Sequence, residues 1–154
     1  MKMIRQIAFV LLVSVGIAAQ AATDFSGTWT LNTKKGENIG MMAALEQTLV
    51  VDQTDAQMTL DFSNVFRGQT TTRKVTLELG GAVVDNVAGM GDPSKTESKW
   101  DGEKLVTTWT TASAIPGTEV KRTETHSLAD DGATLTVTSE RASRPTMVMV
   151  YEKQ

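Results

Sequence analysis

From Phe25 to the C-terminus, apolar and polar positions alternate with a period of two, in short segments separated by turn residues. That alternation marks half-buried strands. The first is Phe25-Ser26-Gly27-Thr28-Trp29-Thr30-Leu31-Asn32, where Thr, Trp and Leu favour a pleated surface. Gly27 allows a close backbone approach at its start, and Trp29 is large enough to plug one end of a small barrel. Thr33 to Gln47 breaks the pattern. There Ile39, Met42 and Leu45 recur at i, i+3 and i+6 behind Asn38, a capping residue, which predicts one or two helical turns across a barrel end. An irregular loop is the alternative for the same stretch.

Strands are then predicted at Thr48–Gln53, Gln57–Phe62, Thr70–Leu79 and Ala82–Val87, with Gly80-Gly81 as a two-residue hairpin turn between the last two. A glycine-rich loop follows up to Pro93. Ser94–Trp100 and Lys104–Ala112 flank Asp101-Gly102, a pair suited to the positive φ angles of a type I′ turn. Thr118–Leu128, Thr134–Arg141 and Thr146–Lys153 complete the series, separated by Pro116-Gly117 and Asp130-Asp131-Gly132. A meander of this kind hides its edges by closing. The fold expected is all-β: an up-and-down antiparallel barrel of 8–10 strands, with a short helix or loop after the first strand. A two-sheet sandwich is the alternative, but it usually needs longer crossover connections than these turns provide.

The N-terminus changes the picture of where the chain works. Lys2 and Arg5 precede an apolar run from Ile7 to Ala19, and Ala19-Gln20-Ala21 has the A-x-A form of a cleavage site. Residues 1–21 therefore read as a signal peptide and 22–154 as a single barrel domain, periplasmic or secreted. Removing the two cations of the leader takes the formal charge from −3 to −5. An acidic chain without a basic patch lacks the footprint of a nucleic-acid binder or of a segment drawn to anionic membranes. The apolar run is too short for a membrane span. With no cysteine, disulfides, thiolate metal sites and thiol chemistry are excluded.

The alternation also selects an inward face. Leu135 and Val137, then Met147, Met149 and Tyr151, point inward from the last two strands; Leu105, Thr107, Trp109 and Thr111 share one face, as do Thr96, Ser98 and Trp100. The small hydroxyl residues among these would leave room inside. A solid core is the competing reading. On Thr118–Leu128, inward positions for Val120 and Leu128 carry Arg122, Glu124 and His126 with them. Buried charges need partners: Arg122 and Glu124 could pair near the barrel mouth, but the strand start is expected to be exposed, so that both meet water, while His126 is expected inside, where it could bond Tyr151. Arg73 shares the apolar face of Val75 and Leu77.

Phe25-Ser26-Gly27-Thr28-Trp29 at the start, Trp100-Asp101-Gly102 with Lys104-Leu105-Val106 in the middle, and Val150-Tyr151-Glu152-Lys153 at the end resemble the calycins. Within that superfamily, which holds the lipocalins and fatty-acid-binding proteins, the chain looks like small exported bacterial lipocalin-like domains. The resemblance spans nearly the whole chain after residue 21. It implies a ligand-holding tyrosine at Tyr151. It also implies departures: Thr33–Gln47 is too short for the two-helix lid of the intracellular fatty-acid binders, Met149 stands where they place one arginine, and His126 falls near a second. A carboxylate there would meet a neutral histidine, which offers only a hydrogen bond.

The function expected is non-enzymatic: a monomer carrying a small, largely apolar molecule in the barrel, with Trp109, His126, Met149 and Tyr151 as the ligand-binding residues. The alternative is a structural or interaction protein of the envelope with a filled core. His126 is the only histidine, so no His-rich metal site and no His pair exists. No nucleophile elbow, P-loop or dinucleotide fingerprint occurs. No catalytic residue, metal or cofactor is expected.

Overall fold

A computed structural model of the chain describes residues 22–154; the expected signal peptide, residues 1–21, lies outside them. The ten expected strands are all present. They are β1 (Gly27–Leu31), β2 (Glu46–Gln53), β3 (Gln57–Phe66), β4 (Gln69–Glu78), β5 (Val84–Val87), β6 (Pro93–Asp101), β7 (Lys104–Ala112), β8 (Glu119–Leu128), β9 (Thr134–Arg141) and β10 (Met147–Lys153). They form one antiparallel sheet in the order β4-β3-β2-β1-β10-β9-β8-β7-β6-β5. Consecutive strands are neighbours, as in a meander, except β4 and β5, and β1 also pairs with β10 through Trp29–Lys153 and Leu31–Tyr151. The two end strands, β4 and β5, then face each other, and the sheet curls into a nearly closed barrel.

That seam corrects one expectation. Gly80-Gly81 turns the chain, but β4 and β5 form no ladder, and β5 begins at Val84 rather than Ala82. Side chains join the two edges instead. The Thr76 amide donates to Asn86 Oδ1 at 3.0 Å, and Asn86 Nδ2 donates back to the Thr76 carbonyl at 2.8 Å. Arg73 Nη1 donates to the Val87 carbonyl at 3.2 Å. A carboxamide carries one acceptor and two donors, so it can imitate the peptide group of an absent strand neighbour.

The two barrel ends differ. At one end, residues 23–26 fold over the opening. Phe25 is fully buried, its amide donates to Gln53 Oε1 at 3.1 Å, and its ring stacks on Trp100 with centroids 6.0 Å apart. Trp29 is fully buried beside it and donates from Nε1 to the Phe25 carbonyl at 3.0 Å. Gly27 sits at φ +144°, and a Cβ there would meet Lys153 Cε at 2.9 Å, which is the close approach expected of it. The tryptophan plug is thus built from residues 25–29 and the end of β10.

At the opposite, open end lie the β1–β2 connection and the segments 67–68, 88–92, 113–118 and 142–146. The β1–β2 connection holds one 3-10 turn, Gly40–Ala44, where a helical turn is expected. Asn38 does not cap it. Asn38 adopts φ 53°, and its amide reaches across to the Thr146 carbonyl at 2.8 Å, so it ties the connection to the β9–β10 turn. Among the described residues no helix is long and apolar enough to cross a membrane.

The apolar core occupies the closed half: Trp29, Met58, Leu77, Leu105 and Leu135 are almost wholly inaccessible. The inward hydroxyls of β6 and β7 pair across the strands, Ser98 with Thr107 at 2.9 Å and Ser94 with Thr111 at 2.7 Å. Each satisfies the other, so these small residues pack as cross-strand pairs rather than leaving room.

Candidate functional site

The space inside the barrel lies toward the open end, against β2, β3, β4, β7, β8, β9 and β10. It is a cavity of about 630 Å³ that reaches the rim at Gly40, Gly89 and Pro145. The interior is therefore not filled. All four residues expected at a binding site, Trp109, His126, Met149 and Tyr151, line it.

Strand direction sets their depth. β8 enters from the open end, so its inward positions Arg122, Glu124 and His126 descend in that order, spanning about 13 Å from first to last. At the deepest of them, His126 is 3% exposed and its Nδ1 is buried without a hydrogen-bond partner. The Phe25 ring meets it edge-on from below, with centroids 6.2 Å apart. Burial pushes the imidazole below its ordinary pKa, with the Glu124 charge opposing in a smaller degree, so the ring is held neutral.

Tyr151 does not bond His126, contrary to expectation. Its hydroxyl donates to Gln47 Oε1 at 2.5 Å, and Gln47 Nε2 donates to Asn64 Oδ1 at 2.6 Å. This relay crosses from β10 through β2 to β3 and leaves the tyrosine satisfied within the protein. Burial pushes the Tyr151 hydroxyl well above its ordinary pKa, so it remains a donor at any physiological pH. Gln47 escaped notice because it lies in the stretch that reads as irregular; β2 in fact begins at Glu46. Met149 packs beside the relay with its sulfur 3.8 Å from the Tyr151 oxygen.

Arg122 and Glu124 both line the cavity and pair near its mouth; the Arg122 side chain keeps 32% of its surface exposed and that of Glu124 14%, so only the first meets water as expected. Arg122 Nη2 lies 3.2 Å from Glu124 Oε1, and Trp109 Nε1 donates to Glu124 Oε2 at 2.9 Å. The guanidinium also lies over the Trp109 ring, 4.9 Å from its centroid. One carboxylate thus serves two partners from neighbouring strands, which is what makes its burial tolerable. Arg122 Nε is left buried and without a partner.

Across the barrel, Arg73 projects from β4 with its guanidinium 4.4 Å from the Phe62 ring centroid. Burial lowers its pKa, the nearby Glu124 charge raises it, and the Arg122 charge lowers it further. An arginine keeps its proton regardless. Between the two arginines and the closed half, Leu49, Leu60, Val137 and Met149 form the apolar part of the wall, interrupted by Glu124, Ser139 and the Tyr151–Gln47 pair, with Met42 and Met147 nearer the rim. Among the described residues no group of three or more His, Asp or Glu is arranged to hold a metal ion.

No protein-family model matches the sequence, and no functionally curated protein matches it. Solved structures do. Apo lipid binding protein 8 of Caenorhabditis elegans superposes with a TM-score of 0.64 at 16% identity, over 87% of this chain and 100% of that one. Human cRBP IV superposes at 0.62 with 20% identity, over 86% and 99%. A Schistosoma mansoni fatty acid binding protein in complex with arachidonic acid superposes at 0.63 with 17% identity, over 84% and 96%. At such identities the likeness is one of fold: this chain has the β-barrel fold of the fatty-acid-binding proteins.

Proposed function

We propose that this protein is a non-enzymatic carrier that holds a small, largely apolar molecule inside its barrel, and that it does so as an exported monomer of a bacterial envelope. The observation that carries the reading is the unfilled space itself. A cavity of about 630 Å³ falls within the range of ligand pockets, roughly 300–1,000 Å³. A folded chain does not keep that much apolar wall unpacked without losing stability. Its lining also has the make-up of a binding site: aliphatic and methionine walls with a few convergent polar groups. Met42, Met147 and Met149 supply adaptable surface. The neighbouring folds support the class of ligand, since two of the three above bind fatty acids or lipids by name. The basic start, apolar run and A-x-A site within residues 1–21 support the location.

Native mass spectrometry of the protein purified from its own envelope tests this. A co-purifying small molecule is expected, and titration of the stripped protein with the apolar dye Nile red should shift tryptophan emission, with the response lost in Trp109→Phe. A ligand-free protein that also ignores the dye would overturn the carrier reading.

A further inference from the structure

We infer that the ligand is an amphiphile with a single anionic head, held head-up between Arg73 and Arg122 with its apolar tail pointing down toward His126. The inference rests on the carrier reading and adds the ligand's charge and direction.

The charged lining is lopsided. Four of the five described arginines, Arg73, Arg122, Arg141 and Arg144, line the cavity, and none of the eight described lysines does. Glu124 is the only acid among the lining residues. In a chain of formal charge −3, this is a concentrated positive site. Arginine is also the residue type that suits it: a planar fork of donors matches a carboxylate, and its weak hydration tolerates a half-buried position.

Hydrogen bonding separates the polar groups that are finished from those that are not. Tyr151, Gln47 and Asn64 satisfy one another. Glu124 is occupied by Arg122 and Trp109. Arg73, by contrast, makes one hydrogen bond, to the Val87 carbonyl, from a group with five donors. Arg122 Nε is buried with none. Both guanidinia already lie against aromatic faces, Phe62 and Trp109, which fixes their planes and leaves their edges for an acceptor. An anion placed there would gain charge-assisted bonds and relieve the mutual repulsion of the two cations.

Depth supplies the direction. Arg122 stands about 13 Å above His126 along β8. Below Arg122 the next inward residue of β8 is Glu124, already held by Arg122 and Trp109, beside Ser139; the rest of the wall is Leu49, Leu60, Val137 and Met149 with the Tyr151–Gln47 pair, and the neutral His126 lies at the foot. A head placed downward would meet one neutral imidazole and a tyrosine already committed to Gln47. The resemblance to fatty-acid binders implies a tyrosine-held head. The charges of this chain favour the opposite orientation.

The test is a matched pair of probes, decanoate and decan-1-ol, competing with Nile red in the full-length mature protein. Decanoate should bind about tenfold tighter or more, the worth of a charge-assisted hydrogen bond. Arg73→Gln and Arg122→Gln should each bring the two probes to near-equal affinity, while His126→Phe keeps the preference. Glu124→Gln retains an acceptor for Trp109 and removes the competing acid; it should tighten decanoate and leave decan-1-ol unchanged, a gain that a damaged fold cannot imitate. Equal binding of both probes to the wild type would overturn the inference and leave the carrier reading standing. A preference lost in His126→Phe but kept in both arginine variants would place the head at the foot and overturn it as well. Binding of neither probe, nor of the dye, would remove the carrier reading and the inference together.

Discussion

Asn86 on β5 faces Thr76 on β4 and makes both hydrogen bonds that a strand neighbour of Thr76 would make. The same Nδ2 also donates to Thr96 Oγ1 at 2.7 Å, so one side chain ties β4 to β6 across the unpaired seam. Removing it leaves the Thr76 amide and carbonyl with no protein partner. Asn86→Ala should lower unfolding stability by about 1–3 kcal/mol. Amide hydrogen exchange at Thr76 should rise at the same time. Unchanged protection at Thr76 would mean that the seam is held by packing alone.

Tyr151 and Gln47 make a second test of a satisfied interior. Tyr151→Phe keeps the ring and strands Gln47 Oε1, at a cost of about 1–3 kcal/mol. The double variant Tyr151→Phe with Gln47→Leu should recover part of that loss, because removing both partners removes the orphaned acceptor. Chemical denaturation of Tyr151→Phe, Gln47→Leu and the double variant measures it. Additive losses would show that the two groups act independently.

Trp29 closes the barrel end with Phe25 and Lys153, whose ammonium lies 5.3 Å from its ring centroid. Trp29→Ala should cost about 3–5 kcal/mol, the usual toll of a large core deletion. A loss under about 1 kcal/mol would mean that the neighbouring residues collapse into the gap and that Trp29 is no plug.

The pH dependence follows from His126. Its folded pKa lies below the ordinary 6.5, so the unfolded chain binds the proton more readily. Stability is full above about pH 6.5 and is lost as the pH falls toward the depressed folded pKa. Thermal unfolding between about pH 6.5 and pH 5, above the ordinary carboxylate range, should show this slope. His126→Phe should flatten it. A wild-type protein equally stable at both ends of that window would contradict a neutral, buried His126.

The meander was legible because period-two alternation and turn chemistry are both local. Asp101-Gly102 names its own hairpin, and Trp29, Leu105 and Val137 name their own face. His126 followed from the same alternation. The seam was not legible, because Gly80-Gly81 reverses the chain whether or not the flanking strands approach closely enough to form a ladder. Alternation did put Arg122 and Glu124 inside. The expectation of solvent came from the cost of burying charge, and what offsets that cost is Trp109, a partner on the next strand that spacing along β8 cannot reveal. The tail of β3 was also missed, since Ser63 and Asn64 lack the apolar face that marks a strand, although Asn64 ends the relay from Tyr151.

The pairing of β1 with β10 has a consequence for how the chain can assemble. In most meanders the first and last strands lie at the sheet edges; here they sit side by side in its middle, and the edges fall mid-chain at β4 and β5. Neither β1–β4 nor β5–β10 has its full complement of neighbours until the C-terminal strand is available, so the chain stays two open-edged sheets until its final residues are in place. Loop closure over that separation comes late and slowly. It also means that the backbone could be cut at Gly80-Gly81 and the end of β10 linked to the start of β1 without breaking a single ladder. The rearranged chain would run from β5 around to β4 as an uninterrupted series of neighbours, with its new ends meeting at the seam.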